Sequence, residues 1–289
     1  MISIIHIVKD KHKRKFMKLK SQINITIIFV CLFVCCFKLF SQDNVPFTKN
    51  DLKALKNVII EKYYIATDED IKDTIGGKLA EGSITYRIFI ELKKGYTLSA
   101  VYGTTSHPLF IETSTCFFND TLLGSKTPDL ISDKDINEHN IALDSWVSMG
   151  ATTIFHNGIT KKEDKDGALL KNKAQLSNAD GYEFGDTFKT LYFGDNLKFF
   201  HDSINAKRFY ADNFAWSNLL GAEGVTPKNR ILIAQLTTNG ILSFELNIQV
   251  KTPEGNIIRF VSSKPEKTLE VNQTIPFVEV QNRKLSFNK

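Results

Sequence analysis

The 289-residue chain carries 37 Lys and Arg against 32 Asp and Glu, a net charge of +5 that points at first toward an acidic partner. Residues 1–42 hold eight of those bases (Lys9, Lys11, Lys13, Arg14, Lys15, Lys18, Lys20, Lys38) and one acid, Asp10. Taking them away leaves 29 bases against 31 acids, net −2, which excludes a nucleic-acid partner drawn by a basic surface.

That first stretch reads as an export leader. Basic Lys18 and Lys20 precede the 13-residue apolar block Ile25 to Phe37, then Leu39 to Gln42 ahead of polar Asp43. This is the n-region, h-region and cleavage-zone order of a secretory signal. The block is short of the roughly 20 residues needed to span a bilayer, so cleavage is expected over retention as an anchor. A membrane contact is expected only through an uncleaved leader. Met17 makes an ordinary signal start, with residues 1–16 ahead of it. Three of the four cysteines (Cys31, Cys35, Cys36) lie in the leader, which leaves Cys116 without an internal disulfide partner. Val34 before Cys35 is too large for the small residue that lipid modification requires there.

Residues 43–56 form a lead-in, with Asp51 to Asn57 as a short helix or loop, and residues 57–289 a single large β-sandwich. Strand-like runs are Val58 to Ile65, Ser83 to Leu92, Tyr96 to Tyr102, Leu109 to Phe118, Ser145 to Met149, Phe188 to Phe193, Asn229 to Thr238, Ile241 to Val250 and Ile257 to Val261. In the eighth, Leu242, Phe244, Leu246, Ile248 and Val250 alternate with Ser243, Glu245, Asn247 and Gln249, so one face is apolar and the other polar. Tyr86, Ile88, Ile90 and Leu92 form a similar stripe, with Thr85, Arg87 and Glu91 opposite. Asn239-Gly240 predicts a hairpin with a type I′ turn, and Lys93-Lys94-Gly95 a second hairpin. Short strands between Gly, Pro, Asn and Asp turns, with few helices, predict an antiparallel two-sheet β-sandwich of jelly-roll or Ig-like architecture. The polar segment 158–185 is a long loop or a seam between two halves.

Candidate chemistry is sparse. Acidic clusters on loops suit calcium: Glu163, Asp164 and Asp166 before Gly167, with Asp68, Glu69, Asp70, Asp73 and Asp129, Asp133, Asp135 as further groups. None has the EF-hand spacing, and solvated loop charge is the competing account. His107, His139, His156 and His201 lack the spacing of a zinc motif. His201-Asp202-Ser203 makes a poor triad, since neighbours in an extended chain point apart. Cys116, beside Phe117 and Phe118, reads as a buried inert thiol. Of the aromatics Trp146, Trp216, Tyr182, Tyr192 and Tyr210, the two in turn-rich text, Tyr182 and Trp216, are the expected outward faces for stacking a sugar ring. Core packing is the alternative for all five.

Gly82 to Arg87, Leu98 to Gly103, Phe117 to Asn119, Asp144 to Gly150, Phe214 to Ser217 and Ile231 to Gln249 form a set that resembles a family of exported modules. These modules occur in surface and secreted proteins of gliding-type, type IX-secreting bacteria, often in long chains ending in a sorting domain. The resemblance spans most of residues 57–262, implies export, and brings no assigned activity and no functional residue. After its strand-like tail the sequence ends at Phe287, Asn288 and Lys289, with no room for a separate sorting domain. The expected function is a non-catalytic envelope or extracellular binding module, adhesin-like and possibly glycan-binding. The alternatives are an exported hydrolase of glycans or proteins with two facing carboxyls, and a structural module whose partner is an envelope protein.

Overall fold

A computed structural model describes residues 47–183, 187–203, 205–262, 265, 270–272 and 277–280. The leader and the first residues of the lead-in lie outside the described residues. From Phe47 onward the chain forms one compact unit, with no division at 158–185.

The strands in chain order are Leu55–Ile65 (β1), Ile84–Leu92 (β2), Thr97–Gly103 (β3), Leu109–Thr113 (β4), Trp146–Val147 (β5), His156–Asn157 (β6), Tyr182–Glu183 (β7), Leu191–Tyr192 (β8), Arg208–Ala211 (β9), Phe214–Ala222 (β10), Arg230–Thr238 (β11), Leu242–Glu245 (β12), Asn247–Lys251 (β13), Ile257–Val261 (β14), Glu270–Asn272 (β15) and Phe277–Val280 (β16). The one described α-helix, α1, is Asp68–Lys72, started by a capping box between Thr67 and Asp70. A 3-10 turn at Asp51–Lys53 leads into β1.

Two sheets make the sandwich. One has the order β16-β1-β2-β11-β5, the other β15-β14-β13-β3-β10-β8, and β12-β4-β9 forms a third, smaller sheet. Pairing is antiparallel throughout, apart from β16 beside β1 and β15 beside β14, which run parallel. The expected antiparallel sandwich is therefore present. Its main core joins the inward residues of both sheets, Val58, Ile60, Ile88, Ile90, Ile231 and Ile233 from the first with Leu98, Val101, Trp216, Ile248, Val250 and Phe260 from the second. Each of these large apolar side chains contributes about 1.5–3 kcal/mol by leaving water. Phe199, Phe200, Phe209 and Phe214 stack edge-on or tilted beneath the third sheet, with centroids 4.9–5.8 Å apart.

Neither expected hairpin exists. β2 pairs with β1 and β11, whereas β3 pairs with β10 and β13, so Lys93-Lys94-Gly95 turns the chain from one sheet to the other. The turn itself is tight, with Tyr96 N–H donating to the Lys93 carbonyl and Gly95 at φ +85°. Likewise β11 lies in the first sheet, β12 in the third and β13 in the second. Neither Asn239 nor Gly240 has the positive φ that a type I′ turn demands. Apolar alternation is satisfied equally by two strands facing across a core and by two strands hydrogen-bonded side by side.

The first sheet is buried on its outer face too. Segment 117–183 lies over it as a loop layer that contributes Ile131, Ile136, Ile141, Leu176 and, nearer β1, Leu143, Ile159 and Leu169. The polar row Thr85, Arg87 and Glu91 is consequently buried. Arg87 stacks on Tyr63, donates to Gln235 Oε1 at 2.9 Å and pairs with Asp180, which also accepts from the Tyr63 hydroxyl. Gln235 in turn donates to the carbonyls of Ala142 and Asp144 at 3.0 and 2.8 Å. Buried backbone acceptors of the loops are satisfied from the sheet.

Candidate functional site

A groove of about 600 Å³ crosses the outer face of the second sheet. The phase of the strands produces it. Leu98 and Val101 point into the core, and a bulge around Ser99 keeps Ala100 and Tyr102 outward. Trp216 points in, so Ala215 and Ser217 point out, and Ile258 and Phe260 point in, so Arg259 points out. Small Ala100, Ala215 and Ser217 make the floor low, while Gln249, Arg259 and the largely buried Glu270 stand on one side and Phe193 on the other.

Phe193 is 89% exposed, the most exposed large apolar side chain among the described residues. Tyr102 is buried, and its hydroxyl is closed to solvent and has no hydrogen-bond partner among the described residues. Burial pushes that hydroxyl up to about 12, with the nearby Arg259 charge opposing, so at neutral pH it stays a neutral donor and acceptor. Arg259 Nε donates to Gln249 Oε1 at 3.2 Å, which fixes the guanidinium across the strand pair. Glu270, its cross-strand neighbour on β15, is bonded instead to His107 Nε2 at 3.1 Å. No carboxylate among the described residues pairs with Arg259.

A larger cleft of about 1060 Å³ lies at the other face, between α1 and the loops around 136–143 and 170–176. Its acids Asp68, Glu69 and Asp70 are consecutive residues of one helical turn. Asp70 is engaged by Thr67 N and Oγ1 at 2.6 and 2.9 Å and by the Tyr64 hydroxyl at 3.1 Å. The two carboxyls that burial holds above the usual range, Glu61 and Asp144, line neither opening.

The residues singled out from sequence fare differently. Trp216 is a correction: it is fully buried on β10, with Nε1 donating to the Ser148 carbonyl at 3.2 Å, and offers no face to solvent. Asn213 before the strand and Asn218 and Gly221 within it give the text its turn-like look, but the bulge spans only residues 218–221 of a nine-residue strand. Tyr182 is 48% exposed on the short strand β7 and lines neither opening. Glu163 accepts from Thr160 Oγ1 at 2.6 Å and Thr226 Oγ1 at 2.5 Å, with Arg230 at 3.5 Å. Asp164 and Asp166 both accept from the Ala168 amide. The proposed calcium ligands thus close their own loop, and no group of three or more possible metal ligands occurs among the described residues.

Each of the four histidines meets a separate carboxylate: His107 with Glu270, His139 with Asp73, His156 with Asp133 and His201 with Asp202. His201 and Asp202 do face each other, at 2.7 Å, because they sit in a turn after a 3-10 helix rather than in extended chain. Cys116 is half-buried rather than buried. Tyr102, Gln249 and Arg259 lay within the predicted strands and on their outward phase, and Phe193 ended another. Their common face was hidden because alternation gives the side of a strand and not its neighbours. Compared with known proteins, the chain matches no family model, no curated protein and no solved structure.

Proposed function

We propose that this chain is an exported, non-catalytic β-sandwich that binds glycan at the cell envelope or outside the cell, through the open groove of the second sheet. The observation that carries this reading is the Phe193 ring, 89% exposed beside a groove with polar walls. An aromatic face next to hydrogen-bonding side chains suits a pyranose ring, whose faces are apolar and whose rim is hydroxylated. The Gln249 side chain, on the wall of the groove, is a group that a sugar can bond. Export is supported by the order of charges and apolar residues in 17–42. A binding role fits better than hydrolysis, because the acids of the larger cleft are adjacent in one helical turn instead of facing each other.

Native gels cast with soluble polysaccharides test the reading. The full chain is expected to be retarded by at least one, and Phe193→Ala to migrate freely with an unchanged thermal midpoint. Free migration of the wild type in every polysaccharide overturns the glycan assignment.

A further inference from the structure

We infer that the groove on the outer face of the second sheet selects glycans carrying a carboxylate, the uronates, with Arg259 as the residue that recognises the acid group. This rests on the glycan reading above and names its ligand class.

Arg259 is a fixed cation without an acidic partner among the described residues. The fixing comes from its Nε–H, which donates to Gln249 Oε1 at 3.2 Å across the β13–β14 pair. That bond uses Nε, and neither Nη group has a partner among the described residues, so the end of the guanidinium can form the planar fork that fits a carboxylate. The acid that could have neutralised it is Glu270, whose Cα is its partner on β15. Glu270 is only 9% exposed and holds His107 Nε2 at 3.1 Å, on a histidine that is itself buried. Tyr102 lines the same groove through its ring, and its hydroxyl is closed to solvent with no partner among the described residues. The opposite wall, Phe193, is apolar, so the groove is asymmetric: charge recognition on the β14 side and ring stacking on the β8 side. Residues 43–289 carry a slight net negative charge, so unspecific attraction of polyanions by the folded domain is not expected. Selectivity for an acidic sugar therefore has to come from a placed cation.

The experiment is affinity electrophoresis of the full chain in gels containing polygalacturonate, alginate, amylose, unsubstituted xylan or κ-carrageenan. Polygalacturonate or alginate is expected to retard the wild type most. Arg259→Gln should weaken that retention about tenfold or more, the loss of a charge-assisted fork, with the thermal midpoint unchanged. Arg259→Lys keeps the charge without the fork and should recover only part of the retention. Arg208→Gln removes an exposed arginine of β9 that pairs with Glu112 outside the groove, and should bind as the wild type does. Retention by amylose or xylan but not by the uronates overturns this inference and leaves the glycan reading standing. Equal losses in Arg259→Gln and Arg208→Gln, or equal retention by κ-carrageenan, which has sulfate and no carboxylate, also overturn it. Free migration in all five overturns the glycan reading with it.

Discussion

The Arg87 guanidinium lies 3.6 Å from the centroid of the Tyr63 ring, and both side chains are fully closed to water. Each also bonds Asp180, on the loop layer that covers the first sheet. A buried charge held in this way depends on its partner, because an isolated guanidinium in an apolar interior is costly.

Asp180→Asn isolates that dependence. Asp180 has φ 65°, which asparagine tolerates, so the substitution removes charge with little backbone strain. Unpairing the buried arginine is expected to cost about 3–5 kcal/mol, the usual range for breaking one side of a buried pair. Urea unfolding followed by the fluorescence of Trp146 and Trp216 measures it. Adding Arg87→Met should restore part of the loss, and an unchanged midpoint in Asp180→Asn refutes the account.

Glu61 gives the fold a pH dependence of defined sign. Burial raises its carboxyl above the usual 4.5, against the opposing Lys161 amide and Arg87 charge, and one oxygen is unpartnered. The folded state then holds a proton that the unfolded state has released. Its contribution is fully present below about 4.5, where both states are protonated, and declines as pH rises through the raised folded value. Glu61→Gln removes that decline. Relative to wild type, the variant should gain in urea midpoint between pH 4 and pH 7.5, and a constant difference across that interval would show that Glu61 does not titrate in this manner.

The strands were legible in the sequence and their partners were not. Leu242, Phe244, Leu246, Ile248 and Val250 are all buried, as their alternation requires. Yet the run divides at Leu246 between two sheets, and polar Asn247 is buried with them, donating to the carbonyls of Tyr102 and His107 at 3.1 and 2.8 Å. Thr85, Arg87 and Glu91 read as a solvent face and lie under loops whose own apolar residues, such as Ile131, Ile136 and Leu176, have no regular period. For the groove the same limit applies. Tyr102, Gln249 and Arg259 belong to three strands that become neighbours only through pairing between residues up to 154 positions apart, and no local pattern encodes that adjacency.

Gly240 carries a prediction about the packing of the corner between the first and third sheets. With φ not positive, an alanine there meets no backbone strain, so any loss comes from packing. In the corner, an added Cβ presses on the hydroxyls of Thr113 and Thr115 and comes within 2.8 Å of the Thr115 amide nitrogen. Thr113 and Thr115 are held by Thr238 Oγ1 at 2.7 and 3.1 Å and cannot retreat without breaking those bonds. Gly240→Ala should therefore destabilise by about 1–3 kcal/mol, the range for forcing extra volume into a packed site. A midpoint equal to wild type in denaturant would place this segment in the open.

Trp216 and Tyr182 divide stability from surface. The Trp216 ring is fully buried among the inward residues of both sheets, and its Nε1–H closes on the Ser148 carbonyl of the loop layer. Trp216→Ala leaves a large cavity and an orphaned carbonyl, for an expected loss of about 3–5 kcal/mol. Tyr182, 48% exposed on a two-residue strand, has little packing to lose, and Tyr182→Ala should stay within about 0.5 kcal/mol of wild type. Both measured by thermal unfolding, they give opposite outcomes from two aromatics that look alike in sequence. Loss of glycan retention in Trp216→Ala accordingly reports a disturbed sandwich, whereas a loss in Phe193→Ala with its midpoint intact reports the groove.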